Sequence, residues 1–328
     1  MRPDLAQEIE AQPGENRQSE PGQSPRYRGA ARFHNDEILS LPDAHQKIDR
    51  PFGPGGRDAT SYTKTTNVLS LAVLLLCPVA RADAAFDHAA VLAQASAVYG
   101  PLLARQGLRL VIVEDRRGMI SARADIVGGD AVVGVDIGVY DSPALTEDAF
   151  RFMLCHELGH LVGAPPRRPA PLEYEGPIGP DGLMLVSSEG QADYYASLKC
   201  MRLLLEGADH AALESRRPPA PRVTTLCARQ FPSAEQSALC RRVAMAGLEF
   251  LRGMSMQVPI DFETPSPEIA ERTFAEYPSR QCRLDTILAG ALCRIDPRVE
   301  TSRDDPTAGA CRKDGDPLGA RPGCWYKE

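Results

Sequence analysis

None of the nine cysteines in this chain forms a C-x-x-C pair, which removes a structural zinc cluster of the usual spacing. There is no basic stripe interleaved with aromatics, and the net charge is -7, which argues against a nucleic-acid partner. No internal repeat is visible. The apolar stretch 67–80 is short and broken by Pro78, so no stable membrane span is expected in the mature chain. Aromatics make up only 6% of the residues while prolines number 28, so part of the chain is expected to be irregular. What is there is 328 residues, 43% of them apolar, enough for a globular protein of one or two domains.

Composition divides the chain. Residues 1–63 are rich in Gln, Glu, Pro, Gly and Arg and hold few apolar clusters. Such a stretch buries too little surface to offset the entropy of ordering it. It reads either as a disordered tail or as an upstream extension of the gene prediction. Residues 64–84 carry Lys64, a short apolar core and then Ala80-Arg-Ala82, the layout of a secretory signal peptide. A buried core helix is the alternative. A signal peptide normally begins near the start of a chain, so residues 64–84 favour the extension for residues 1–63. Export, to a periplasm or outside the cell, is the expectation.

Eight cysteines lie beyond the leader: Cys155, Cys200, Cys227, Cys240, Cys282, Cys293, Cys311 and Cys324. An even number in an exported chain implies disulfides. Cys311 with Cys324 is the favoured pair, because it would close a Gly/Pro-rich tail that has little core of its own. Cys155 reads as a buried thiol or a helix-to-helix staple rather than a nucleophile.

Periodicity predicts a helix from Ala84 to Gln106, a strand over 108–113, and two more strands over 122–127 and 131–140. Gly128-Gly129 between the last two signals a hairpin. A strand edge there either holds an extended peptide or only packs on the next helix. Residues 164–186, with six prolines, predict a loop that rims a cleft or merely connects. Ser188 and Gln191 fit a capping box that opens a helix running to about Leu205, and a further helix is expected from Ser233 through Leu251.

The chemistry centres on His156-Glu157-Leu-Gly-His160. On a helix, residues four apart share a face, so both imidazoles can reach one metal ion. Glu157 lies close enough to act on a water at that metal. Thr146-Glu-Asp148 puts negative charge in the first turn, and Asp141-Ser-Pro143 offers start chemistry. Phe150, Met153, Leu154 and Leu161 give an apolar stripe, and Gly163 followed by Pro165-Pro166 ends the helix. A catalytic zinc takes three protein ligands and keeps one position open. The three-histidine pattern H-E-x-x-H-x-x-G-x-x-H fails here, because Pro166 stands where its last histidine belongs. His88 and His210 read as surface or packing histidines. Glu189, at the start of the next helix, is the candidate third ligand. Asp193, one turn on, is placed to orient a ligand histidine.

His156-Glu157-Leu-Gly-His160 followed by Glu189-Gly-Gln-Ala192-Asp193 resembles the H-E-x-x-H … E-x-x-A-D signature of the HtpX-like and CAAX-prenyl-protease-like zinc metallopeptidases. Tyr277-Pro-Ser-Arg-Gln-Cys-Arg283 is similar to that family's H-P-S-x-x-x-R, with Tyr in place of His. The resemblance covers about residues 120–290. It implies an α+β, mainly helical zincin-like domain over 85–328, with a small antiparallel sheet or hairpin ahead of the motif helix and a Cys-rich C-terminal part. It implies one zinc per chain on His156, His160 and Glu189, and hydrolysis of protein or peptide substrates with Glu157 as base. Tyr277 or Arg283 would stabilise the developing oxyanion, and a structural role for each stays open. The alternatives are an inactive, disulfide-stapled binding or chaperone-like protein, and a zinc enzyme acting on another amide.

Overall fold

Local signals explain where the elements begin. The structure, a computed structural model, describes residues 86–328 except 141, 143–144, 173, 175, 215–216 and 255–258. The expected extension and leader, residues 1–84, lie outside the described residues. Helix α1 (His88–Arg105) starts at Asp87, whose carboxylate accepts a hydrogen bond from the backbone N–H of Ala90. Its buried face is Val91, Ala95, Tyr99 and Leu103, four residues apart each time.

Three strands come next: β1 (Arg109–Asp115), β2 (Ala122–Val127) and β3 (Asp130–Asp136). The expected hairpin is β2–β3, with φ of +58° at Gly128 and +89° at Gly129. Two positive φ values in a two-residue loop match the right-handed twist of the strands, and glycine adopts them without strain. The sheet is not wholly antiparallel, however. Its order is β1-β3-β2, and β1 runs parallel to β3. The chain leaves β1, passes the end of β3 and enters β2 on the far side. Buried Asp136 holds this crossing, accepting from the backbone N–H groups of Arg117, Met119 and Gly138.

Helix α2 (Glu147–Val162) carries the H-E-x-x-H motif. Thr146 is its N-cap, with Oγ1 accepting from Ala149 N–H at 3.1 Å. From Asp148 to Val162 every residue except Arg151 is buried. The expected single apolar stripe is therefore too narrow a description: α2 is enclosed on all sides.

The 164–186 segment is not all loop. Its ends pair as β4 (Arg167–Pro169) and β5 (Leu183–Ser187) in a two-stranded antiparallel sheet. Then come α3 (Glu189–Tyr195), a π turn (Ala196–Cys200) and α4 (Met201–Leu204). The capping box is not formed at α3. The Ser188 hydroxyl makes no cap bond, and the Gln191 amide donates instead to the Gly163 carbonyl at the end of α2. Short α5 (His210–Glu214), α6 (Pro221–Gln230), α7 (Ala234–Met254) and α8 (Arg280–Leu292) complete the helices. Helices α3 and α7 pack on α2, and α8 packs on α3 and α7. The fold is mixed α+β, and among the described residues no helix is long and apolar enough to cross a membrane.

Four disulfides join the eight cysteines: Cys155–Cys200, Cys227–Cys240, Cys282–Cys324 and Cys293–Cys311. Cys155 is thus the helix-to-helix staple. The favoured Cys311–Cys324 pair does not form. The tail is not closed on itself but fastened to the two ends of α8, and it inserts Trp325 into the protein, fully buried. A segment without a core of its own borrows one. Replacing Cys282 and Cys324 together by Ser opens a 42-residue separation, and on chain-entropy grounds about 4 kcal/mol of stability should go with it. The same double change at Cys227 and Cys240, 13 apart, should cost about 3 kcal/mol. Urea unfolding under oxidising conditions would show whether this order holds.

Candidate metal centre

Helices α2 and α3 meet at backbone distance. A Cβ added at Gly159 would lie 2.8 Å from the Ala192 carbonyl oxygen, so a side chain there would force the helices apart. On the opposite side of α3, a Cβ on Gly190 would lie 2.6 Å from the Trp325 ring. Helix α3 is therefore gripped between the motif helix and the C-terminal tail. That grip sets Glu189 against His156 and His160.

The three side chains bring their ligand atoms within 4.8 Å of one another, all buried. His156 Nε2 lies 3.2 Å from His160 Nε2 and 3.2 Å from Glu189 Oε2. His160 Nε2 lies 3.5 Å from Glu189 Oε1. The opposite ring nitrogens are held by acceptors. His160 Nδ1 is 2.7 Å from the Ser187 carbonyl oxygen, and His156 Nδ1 is 2.8 Å from Asp193 Oδ1. The second approach is short but off the hydrogen-bond axis. With the proton on Nδ1, beside these acceptors, the neutral form of each ring leaves its lone pair on Nε2. Two lone pairs and a carboxylate then face one point. Such an arrangement is repulsive unless positive charge sits among them, which without a metal is the second proton of His156, 3.2 Å from Glu189 Oε2. For a tetrahedral zinc with bonds of about 2.0–2.1 Å, neighbouring ligands are about 3.4 Å apart, close to the separation of the two Nε2 atoms, with one Glu189 oxygen near each ring.

The ionisation of these groups shows the same demand for positive charge. Burial lowers the His156 pKa, but the Asp193 and Glu189 carboxylates outweigh burial and raise it to about 10. Burial drives His160 down to about 4, helped by His156 beside it. Burial alone would raise Glu189, yet His160, His156 and Arg283 hold it well below the usual carboxylate range. Asp193 is likewise lowered against burial, by Arg283 and His156. Glu157 is different. Burial lifts it to about 7, and among the described residues no hydrogen bond or ion pair engages its carboxylate.

No protein-family model, no curated protein and no solved structure matches this chain. The centre is therefore interpreted from its own residues.

Arg283, on α8, closes its planar fork on Asp193, with Nε 2.6 Å from Oδ2 and Nη2 2.9 Å from Oδ1. It stands 3.9 Å from Glu189 Oε2. The structural ion pair left open for it is present, and it forms a chain from Arg283 through Asp193 to His156. Tyr277 is 55% exposed, with its ring 5.9 Å from the Arg283 guanidinium carbon. Burial of its hydroxyl, and then Glu189, raise its pKa well above the ordinary value. His88 and His210 are not ligands. His88 stacks on Tyr140 and Phe86, and His210 lies 3.4 Å from Arg242.

Two participants were missed in the sequence. The Ser187 carbonyl orients His160, and a backbone atom leaves no residue-type signal. Arg168 on β4 brings Nη1 to 3.5 Å from Glu189 Oε1. Its signal was a basic pair, Arg167-Arg168, set between prolines just after the motif helix. A second cluster, Cys293, Cys311 and Asp316, has metal-like spacing, but its sulfurs are joined as a disulfide.

Proposed function

We propose that the chain is an exported zinc-dependent endopeptidase of zincin-like fold, hydrolysing peptide bonds of proteins outside the cytoplasm. The observation that carries this reading is the convergence of His156 Nε2, His160 Nε2 and the Glu189 carboxylate, with an unengaged buried Glu157 beside them. Zinc in such a site supplies Lewis acidity towards a scissile carbonyl and acidifies a bound water.

The chain's own residues do the rest. His156 and His160 bind through Nε2, and Glu189 binds through its carboxylate. Asp193 and the Ser187 carbonyl fix the ring orientations from behind. Glu157 takes a proton at its carboxylate and returns it to the leaving amine. Arg283 keeps Asp193 ionised and in place. The three motifs that carry the family resemblance support the reading by meeting at one place, since Arg283 from the third reaches Asp193 of the second. The four disulfides support an oxidising compartment.

The test is a peptide-library digestion by the purified mature protein, with and without a chelator, alongside metal analysis. Zinc near one per chain and chelator-sensitive cleavage are expected. Zinc without any cleavage would favour the inactive binding protein. No zinc in wild type and in His156→Ala alike would remove the metal reading.

A further inference from the structure

The centre holds two guanidiniums, and only one is committed. Arg283, with 14% of its side chain exposed, has both arms of its fork on Asp193. Arg168 keeps 33% of its side chain exposed. Among the described residues its acceptor is Glu189, at 3.5 Å, longer than a good charge-assisted hydrogen bond. A guanidinium carries five N–H donors in a rigid plane, so most of this fork is unspent.

Its position is nonetheless built. Arg168 lies on β4, whose Arg167 pairs with Ser187 of β5. Strand β5 runs directly into Ser187, which orients His160, and Glu189. The Tyr277 ring stands 6.0 Å from the Arg168 guanidinium carbon. A short sheet and a ring therefore hold this cation, partly exposed, beside Glu189.

The charges at the centre favour an anion there. Glu157, Glu189 and Asp193 are opposed by Arg168 and Arg283. With a divalent cation and neutral histidines, the ionised cluster is left with one net positive charge. A Glu189 carboxylate turned to a metal also offers Arg168 less. Planar guanidinium is the natural partner of a planar carboxylate, which it binds through two parallel hydrogen bonds.

We propose that Arg168 binds a carboxylate on the substrate residue next to the scissile bond, which makes acidic residues or a free C-terminus the preferred neighbour of the cleaved bond. The inference rests on the peptidase reading for the existence of that bond. The recognition itself can be measured without turnover.

The experiment uses Glu157→Gln protein with zinc present, titrated calorimetrically with three tripeptides of one parent sequence. One is neutral and amidated, one is neutral with a free C-terminus, and one carries Asp and is amidated. At least one carboxylate-bearing peptide should bind about tenfold or more tighter than the neutral one. Whichever gains identifies the source of the carboxylate. Adding Arg168→Ala should erase the preference, and Arg168→Lys should restore only part of it, because an ammonium lacks the fork. Equal binding of all three, no binding of any, or a preference that survives Arg168→Ala would overturn the assignment. Failure of the peptidase reading shows elsewhere, as a wild-type protein that cleaves nothing in the library.

Discussion

Glu157→Gln is expected to keep one zinc per chain and to lose peptide cleavage by about a hundredfold to ten-thousandfold. The replacement is nearly isosteric, so α2 should stay packed. Among the described residues the carboxylate makes no hydrogen bond or ion pair, so the amide breaks no existing network. What goes is the ability to accept a proton and return it to the leaving amine. The proposed ligands His156, His160 and Glu189 are untouched, which separates this variant from His156→Ala. Metal analysis and single-turnover cleavage of the same preparation would measure both halves. A variant that cleaves as fast as wild type would show that Glu157 is not the base.

Arg283→Ala attacks the same centre from behind. Asp193 is fully buried and is held ionised by Arg283, which contributes two hydrogen bonds at 2.6 and 2.9 Å. Removing one partner of a buried pair strands the other charge, which typically costs about 3–5 kcal/mol. Asp193 in turn orients His156, so zinc affinity should fall by about tenfold to a hundredfold. Arg283→Lys keeps the charge and loses the fork, and should lie between alanine and wild type. Urea unfolding of the metal-free protein gives the stability, and competition with a chromogenic chelator gives the affinity. A large stability loss with unchanged zinc affinity would show that Asp193 does not act through His156.

The local features were readable because they depend on neighbours in the chain. Two histidines four apart meet on a helix whatever surrounds it. Gly128-Gly129 makes a hairpin because both positions take positive φ. Thr146 caps α2 with its own hydroxyl. Ser188 shows where such reasoning stops. Its spacing to Gln191 suits a capping box, yet the Gly163 carbonyl, 28 residues away from Gln191, takes the amide. A tertiary acceptor outcompeted the local one.

The cysteines show the same divide on a larger scale. Their even number after residue 84 implied disulfides, but Cys311 and Cys324 each found a partner at α8 rather than each other. Pairing depends on where the tail lies, and the tail lies where Trp325 can be buried against Gly190.

The sequence by itself determined the motif helix, its two histidines, the neighbouring carboxylate of Glu157 and the helix that opens at Glu189, because each comes from residue type and spacing. Only the tertiary structure decided that Arg283 spends its fork on Asp193, that Ser187 orients His160, and that Arg168 stands beside Glu189. Those three depend on α8, β5 and β4 being packed around α2 and α3, and no spacing along the chain encodes such contacts, the longest of them made across ninety residues.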